Sequence, residues 1–204
     1  ILDERKKDDQ FINSIVDLGC GDGRITKELA ETFNNKKILG IDYSSKAINL
    51  AKALNPYISF LNIDIVNEKI EEKFDAITLI EVFEHIPLDL CDDFTKVLPD
   101  LLNENGKIYL TVPHENKILQ DKHFQHFNYK SLVKYFEKNF QVVEVIYIQK
   151  QDKLLSVLNK LFSNKLWILN NSLLSNYFYK FYKKRYFFAD EKTCGRIYLK
   201  MIKK

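Results

Sequence analysis

The chain has 204 residues and is poor in the residues that build stapled or repetitive folds: three cysteines, four prolines and six glycines. Cys20, Cys91 and Cys194 are odd in number and far apart, which excludes a closed disulfide framework and leaves no zinc or C-x-x-C spacing. Unpaired thiols fit a reducing compartment, so a cytoplasmic location is expected. No histidine lies near Cys20 in sequence, which argues against a thiol nucleophile there. No window reaches the ~20 apolar residues of a membrane span. Residues 1 to 10 are charged and lack the apolar stretch of a secretory leader. The first residue is not methionine, so the true start is left open. No internal repeat or low-complexity linker divides the chain, and a single domain over residues 1–204 is expected.

What is present is an ordinary globular composition, 46% hydrophobic, in a chain long enough to bury a core without staples. Charge is uneven. From Gln149 onward there are 13 Lys/Arg against 3 Asp/Glu, and before it 18 against 25, although the net charge is only +3. Such asymmetry bears on partners rather than on fold.

Short apolar runs alternate with helical periodicity. Residues 14–18, 37–41, 58–63, 74–80 and 107–112 read as buried strands. Between them, Ile25, Leu29 and Phe33 recur at the helical period, as do Ala47, Ile48, Ala51 and Leu54 behind a Ser44 or Ser45 cap. Leu88 to Leu102 reads as a further helix, with Asn105-Gly106 as its turn. Ser131 to Phe136 reads as another helix, and residues 141–148 and 194–202 alternate as two more strands. Strands alternating with helices predict an α/β, Rossmann-like, mostly parallel seven-stranded sheet covered on both faces. Asp42, Asp64 and Glu81 each follow a strand, on the rim where open α/β sheets bind ligands.

Residues 149–192 break the pattern. Leu158, Leu161, Phe162, Leu166, Leu169, Leu173, Tyr177, Phe181 and Tyr182 repeat every three or four residues. They predict one or two amphipathic helices, broken near Ser163-Asn164 or Asn170-Asn171, inserted before the last strand.

Half of the six glycines fall within five residues, at Gly19, Gly21 and Gly23. Glycine permits positive φ and close backbone approach. Here it joins a strand to a helix, where N–H groups and a helix start can face a ligand. A glycine turn alone also fits dinucleotide enzymes. The spacing is G-x-G-x-G, however, and no Lys-Ser/Thr pair follows as in a P-loop.

The run from Val16 to Arg24, VDLGCGDGR, closely resembles the first motif of class I S-adenosylmethionine-dependent methyltransferases. Gly40 to Tyr43, Asn62 to Asp64 and Phe74 to Ile77 match later positions of that family. The resemblance covers residues 14–148 and the last strand. It implies that Asp17 and the backbone from Gly19 through Cys20 and Gly21 to Gly23 hold the methionine part of S-adenosylmethionine. It implies that Asp42 accepts both ribose hydroxyls, as a carboxylate can. Tyr43 would pack on adenine, Asp64 would accept from the adenine amino group, and Ile65 and Glu81 would border the cofactor.

Glu81, Glu84 and His85 form an E-x-x-E-H group after the fourth strand. They could ligate a divalent cation such as Mg²⁺, or supply a general base. Similar groups occur in ubiquinone-biosynthesis O-methyltransferases and in enzymes that methylate the ribose 2′-hydroxyl of small RNAs. In the RNA enzymes a downstream histidine completes the metal site, and His126 is the better match in the segment from His123 to Phe127. His85, Glu81 and His126 are therefore the catalytic candidates, and Glu81, Glu84, His85 and His126 the metal candidates. His85 can equally line a metal-free pocket. His114, after the fifth strand, could contact substrate.

The stretch from Tyr177 to Phe188 mixes aromatics with Lys180, Lys183, Lys184 and Arg185. It reads as packing on the sheet, a substrate lid, a peripheral membrane contact, an RNA surface or a dimer interface; the oligomeric state stays open. A basic lid suits an anionic acceptor. The layout loosely resembles small bacterial methyltransferases that modify surface carbohydrates. The leading expectation is O-methylation of a small anionic hydroxyl-bearing metabolite or sugar precursor. The alternatives are a metal-dependent RNA ribose 2′-O-methyltransferase and a non-catalytic partner subunit of the same fold.

Overall fold

A computed structural model describes residues 11–152 and 172–204. The sheet has seven strands: β1 (Ser14–Leu18), β2 (Lys37–Asp42), β3 (Ser59–Asn62), β4 (Phe74–Ile80), β5 (Leu102–Pro113), β6 (Phe140–Lys150) and β7 (Cys194–Lys203). Their order is β3-β2-β1-β4-β5-β7-β6. All neighbours from β3 to β5 run parallel, and β7 lies antiparallel between β5 and β6. The helices are α1 (Arg24–Thr32), α2 (Ser45–Leu54), α3 (Cys91–Val97), α4 (Tyr129–Phe136) and α5 (Ser172–Tyr182), the last running into a π-turn at Lys183–Phe187. The expected Rossmann-like sheet is thus present, with a helical insertion before β7. The expected repeat from Leu158 to Leu169 and its two candidate breaks lie outside the described residues, as does the charged stretch of residues 1–10.

The central strands are apolar on both faces because both faces are covered. Val16, Leu18, Ile77 and Leu79 join Phe94 of α3 and Leu132 and Phe136 of α4 in one core. Ile15, Ala76, Tyr109 and Tyr198 pack with Leu29 of α1 on the other side. Within α1 it is Thr26, not Ile25, that is buried. A hydroxyl there has an inward partner, described below.

Two boundaries differ from the sequence pattern. The helix expected over Leu88–Leu102 covers only Cys91–Val97; Pro99 lacks the N–H that would continue it. Asn105-Gly106 is not a free turn but part of a bulge inside β5. Phe74 pairs with Leu102 and Ala76 with Lys107, so the residues between loop out of register, with Asn105 at φ 59.

Parallel strands deliver their carboxyl ends to one rim. Because β7 is reversed, its first residues join that rim: Arg196 pairs with Pro113 on one side and Ile148 on the other.

Candidate functional site

The glycine turn leaves β1 with three successive glycines in the left-handed region: Gly19, Gly21 and Gly23 at φ 70, 56 and 78. A Cβ on Gly19 would lie 2.7 Å from both Val82 methyls, and one on Gly23 2.7 Å from the Phe60 ring. A Cβ on Gly21 would meet no atom within 4 Å. Gly19 and Gly23 are therefore fixed by packing, and Gly21 by conformation beside an open space.

The turn is tied to β2 rather than left with its donors outward. Gly19 and Cys20 both donate to the Ile41 carbonyl, at 2.7 and 3.0 Å. Gly21 donates to Asp42 Oδ2 at 2.9 Å, and Ser44 donates to Asp42 Oδ1 at 2.8 Å. Each Asp42 oxygen keeps a second lone pair. Tyr43 beside it is 80% exposed. Asp64 accepts from Val66 and from the Asn67 amide, and Ile65 is buried against the core.

Asp17 points the other way. It is buried, accepting from Thr26 Oγ1 of α1 and Thr78 Oγ1 of β4, both at 2.7 Å. It fastens helix and strand beneath the turn instead of lining its outer surface. Burial outweighs those two bonds and pushes its carboxyl up to about 6. Cys20 is also buried, with its thiol pushed up to about 12, first by burial and then by Asp17 and Asp42. That thiol is not ionised near neutrality and cannot serve as a nucleophile.

The E-x-x-E-H group divides. Glu81 ends β4 in the left-handed region, φ 56. It accepts from Thr111 Oγ1 at 3.0 Å and from Arg196 Nε at 2.7 Å. Glu84 follows in a single 3-10 turn, Phe83–His85. It is fully buried, and neither carboxylate oxygen has a hydrogen-bond partner. Burial, then the Glu81 charge, pushes its carboxyl up to about 8.

Two histidines turn toward Glu84. Ligand atoms of Glu84, His85 and His123 lie within 4.8 Å of one another. This set differs from the sequence expectation, which also had Glu81 and His126: Glu81 is bonded by Arg196, and His126 by His123. The loop that carries them is held by Phe124 N–H donating to the Glu84 carbonyl, which brings His123 rather than His126 against the turn.

Hydrogen bonds select the tautomers. His85 Nδ1 faces the Lys122 carbonyl at 2.8 Å, so it must donate. His126 Nδ1 faces the Lys117 carbonyl at 3.1 Å and also donates, leaving its Nε2 to accept from His123 Nδ1 at 2.8 Å. The neutral rings of His85 and His123 therefore both keep their lone pair on Nε2. That outer-shell arrangement is the one metal-binding imidazoles use. Burial, with His85 and His126 nearby, also lowers the His123 pKa, favouring the neutral ring.

His114 is buried beyond β5. Its Nδ1 accepts from Asn116 N–H, and its Nε2 has no partner. Sequence reading preferred His126 to His123 within their segment and missed Arg196 altogether. The partner of Arg196 lies 115 residues away, beyond any local pattern.

Residues 15–106 match the family model described as a methyltransferase domain. The chain is 32% identical over 111 residues to the ubiquinone biosynthesis O-methyltransferase of Alkalilimnicola ehrlichii, covering 47% of this chain and 44% of that protein. It is 36% identical over 64 residues to a putative methyltransferase of Invertebrate iridescent virus 6, covering 31% of this chain and 24% of that one. The chain thus spans less than half the length of these two curated relatives. In structure it is similar to the N-methyltransferase NodS from Bradyrhizobium japonicum in complex with S-adenosyl-L-homocysteine. The TM-score is 0.63 at 16% identity, over 94% of this chain and 78% of NodS. Among the described residues no helix is long and apolar enough to cross a membrane.

Proposed function

We propose that this chain, which has the class I S-adenosylmethionine-dependent methyltransferase fold, transfers a methyl group to a hydroxyl of a small anionic molecule. The observation that carries the reading is the left-handed glycine turn bonded through Gly21 to Asp42. It leaves open space over Gly21 and spare lone pairs on an acid at the end of β2. S-adenosylmethionine, when bound, supplies a methyl already activated by its sulfonium. Gly19 to Gly23 admit its methionine part closely, Asp42 accepts from the ribose, and the exposed Tyr43 ring and the Asp64-Ile65 turn flank the adenine. Asp17 acts from beneath by fixing the turn.

The acceptor hydroxyl must lose its proton. His85, with an Nε2 lone pair at the rim, is positioned as base, and in-line positioning contributes much of the rest. Alternatively to a base role for His85, Glu84, His85 and His123 fit a divalent cation: one ligand atom of each lies within 4.8 Å of the others, and the buried Glu84 carboxyl has no hydrogen-bond partner. Two nitrogens to one carboxylate suit Mn²⁺ or Zn²⁺ better than Mg²⁺. When bound, the cation would lower the pKa of a coordinated hydroxyl.

Calorimetry with S-adenosylmethionine and S-adenosylhomocysteine tests the cofactor site, and absence of affinity for both would sink it. Mass spectrometry of methyl transfer across sugar nucleotides, quinone precursors and short RNAs then ranks acceptors. For the cation, elemental analysis after equilibration with Mn²⁺ should find one ion per chain. His123→Ala should bind less than one tenth as tightly, whereas undiminished binding in that variant excludes the assignment.

A further inference from the structure

Arg196 is held in a built cradle. Its Nε donates to Glu81 and its Nη1 to Gln149 Oε1. Both partners are non-glycine residues in the left-handed region, Glu81 at φ 56 and Gln149 at φ 62. Only three such residues occur among those described, and two of them grip one guanidinium. Such a conformation is strained for a residue with a Cβ and persists where surrounding contacts enforce it. Gly195 adds a third feature. A Cβ there would lie 2.2 Å from Gln151 Nε2 and 3.1 Å from Gln149 Oε1. A side chain at 195 would also lie 3.0 Å from the Gln149 carbonyl oxygen, so glycine spares Gln149 a shift of a few tenths of an ångström.

A single ion pair with Glu81 would not require this construction. The cradle fixes the plane of the guanidinium, and among the described residues Nη2 has no partner, with the side chain one-third exposed on the ligand rim. Arginine held in this way presents a planar fork to an oxyanion. The surroundings suit one. Lys117 is close enough to sense Arg196, Glu81 and Glu84 together, and Tyr182 of the insertion lies within reach of the Arg196 charge. The Glu81 charge is paired with Arg196, so Lys117 adds a second positive charge that is felt at Arg196.

We propose that Arg196 is the acceptor-recognition residue of this site, its Nη2 edge binding a carboxylate or phosphate oxygen of the molecule to be methylated. The cradle aims that anion at the rim beside Glu84, His85 and His123, where the hydroxyl would react. This rests on the proposed methyltransferase function, and it names the group that makes the acceptor anionic.

The test titrates the protein with inorganic phosphate and, separately, with malonate, both with and without saturating S-adenosylhomocysteine. Binding is read by calorimetry and by the NMR shift of the Arg196 Nε–H. At least one anion should bind in the millimolar range and move that resonance. Arg196→Gln should weaken it tenfold or more while changing S-adenosylhomocysteine affinity less than threefold. Arg196→Lys, which keeps the charge without the fork, should recover only part of the loss and guards against misfolding of the first variant. A preference for phosphate identifies a phosphate-bearing acceptor, and a preference for malonate a carboxylic acid. No binding of either anion, or equal binding by Arg196→Gln, overturns the assignment. Loss of S-adenosylhomocysteine binding by the wild type counts against the proposed function instead, and the cofactor-free titration still decides the role of Arg196.

Discussion

At the scale of single residues, the buried acid Asp17 makes a prediction that does not depend on any ligand. Its carboxyl titrates near 6 in the fold because it is buried, against an ordinary value near 4 when the chain is unfolded. Between those values the folded protein holds a proton that the unfolded chain releases. Stability must then fall as pH rises across that window and level off above it, by about 3 kcal/mol at most. Asp17→Asn has no such titration; its carbonyl still accepts from one threonine and its amide donates to the other. Denaturant midpoints measured from pH 4 to pH 7 should show the variant gaining on the wild type as pH rises. A constant gap would mean that Asp17 titrates normally. The sequence marked Asp17 by its place beside the glycines, yet its direction depended on Thr26 and Thr78, one on the next helix and one 61 residues away.

At the scale of elements, the glycine turn separates two jobs that sequence alone assigns to it together. Gly19 is locked against Val82, so Gly19→Ala combines an unfavourable φ with overpacking and should cost ~2–4 kcal/mol of stability. Gly21 faces open space, so Gly21→Ala should cost only ~1–2 kcal/mol, for the left-handed conformation. Its methyl, though, enters the space proposed for the cofactor, and S-adenosylhomocysteine affinity should drop tenfold or more. Chemical denaturation and calorimetry on both variants check the pair; equal stability losses with affinity retained in Gly21→Ala would refute the division. Elements were legible where periodicity was strong: all seven strands could be placed from apolar runs or alternation. They were less legible where a side chain outside the run set the boundary. The α4 cap is Asn128, bonded reciprocally with Ser131, three residues before the apolar pattern begins. The bulge that starts β5 is set by its pairing with β4, a partner 28 residues earlier that no local window contains.

At the scale of the whole molecule, the residues proposed for the cofactor could be named together because they follow strand ends in chain order. The group proposed for the acceptor could not, because it is assembled from the end of β4, the loop after β5, the end of β6 and the start of β7. The same division governs the charge asymmetry. The basic carboxyl-terminal quarter places exposed Lys180, Lys184 and Arg185 on or just after α5, which suits a small anion or a nucleic acid. Salt separates the two. A protein that neutralises several phosphates loses affinity as roughly one power of salt per contact. A single small anion on Arg196 has no condensed counterions to release, so screening alone should give a much shallower dependence. For a small-molecule enzyme, a short single-stranded RNA should bind at 150 mM salt no more tightly than the roughly 10⁻⁴–10⁻⁶ M typical of non-specific contact. That affinity should be unaffected by Arg196→Gln. Fluorescence anisotropy from 50 to 300 mM salt measures both quantities. Submicromolar binding at 150 mM, with a slope of five or more, would reverse the ranking and make a ribose hydroxyl the better acceptor. In that case the same guanidinium fork would be reading a phosphodiester.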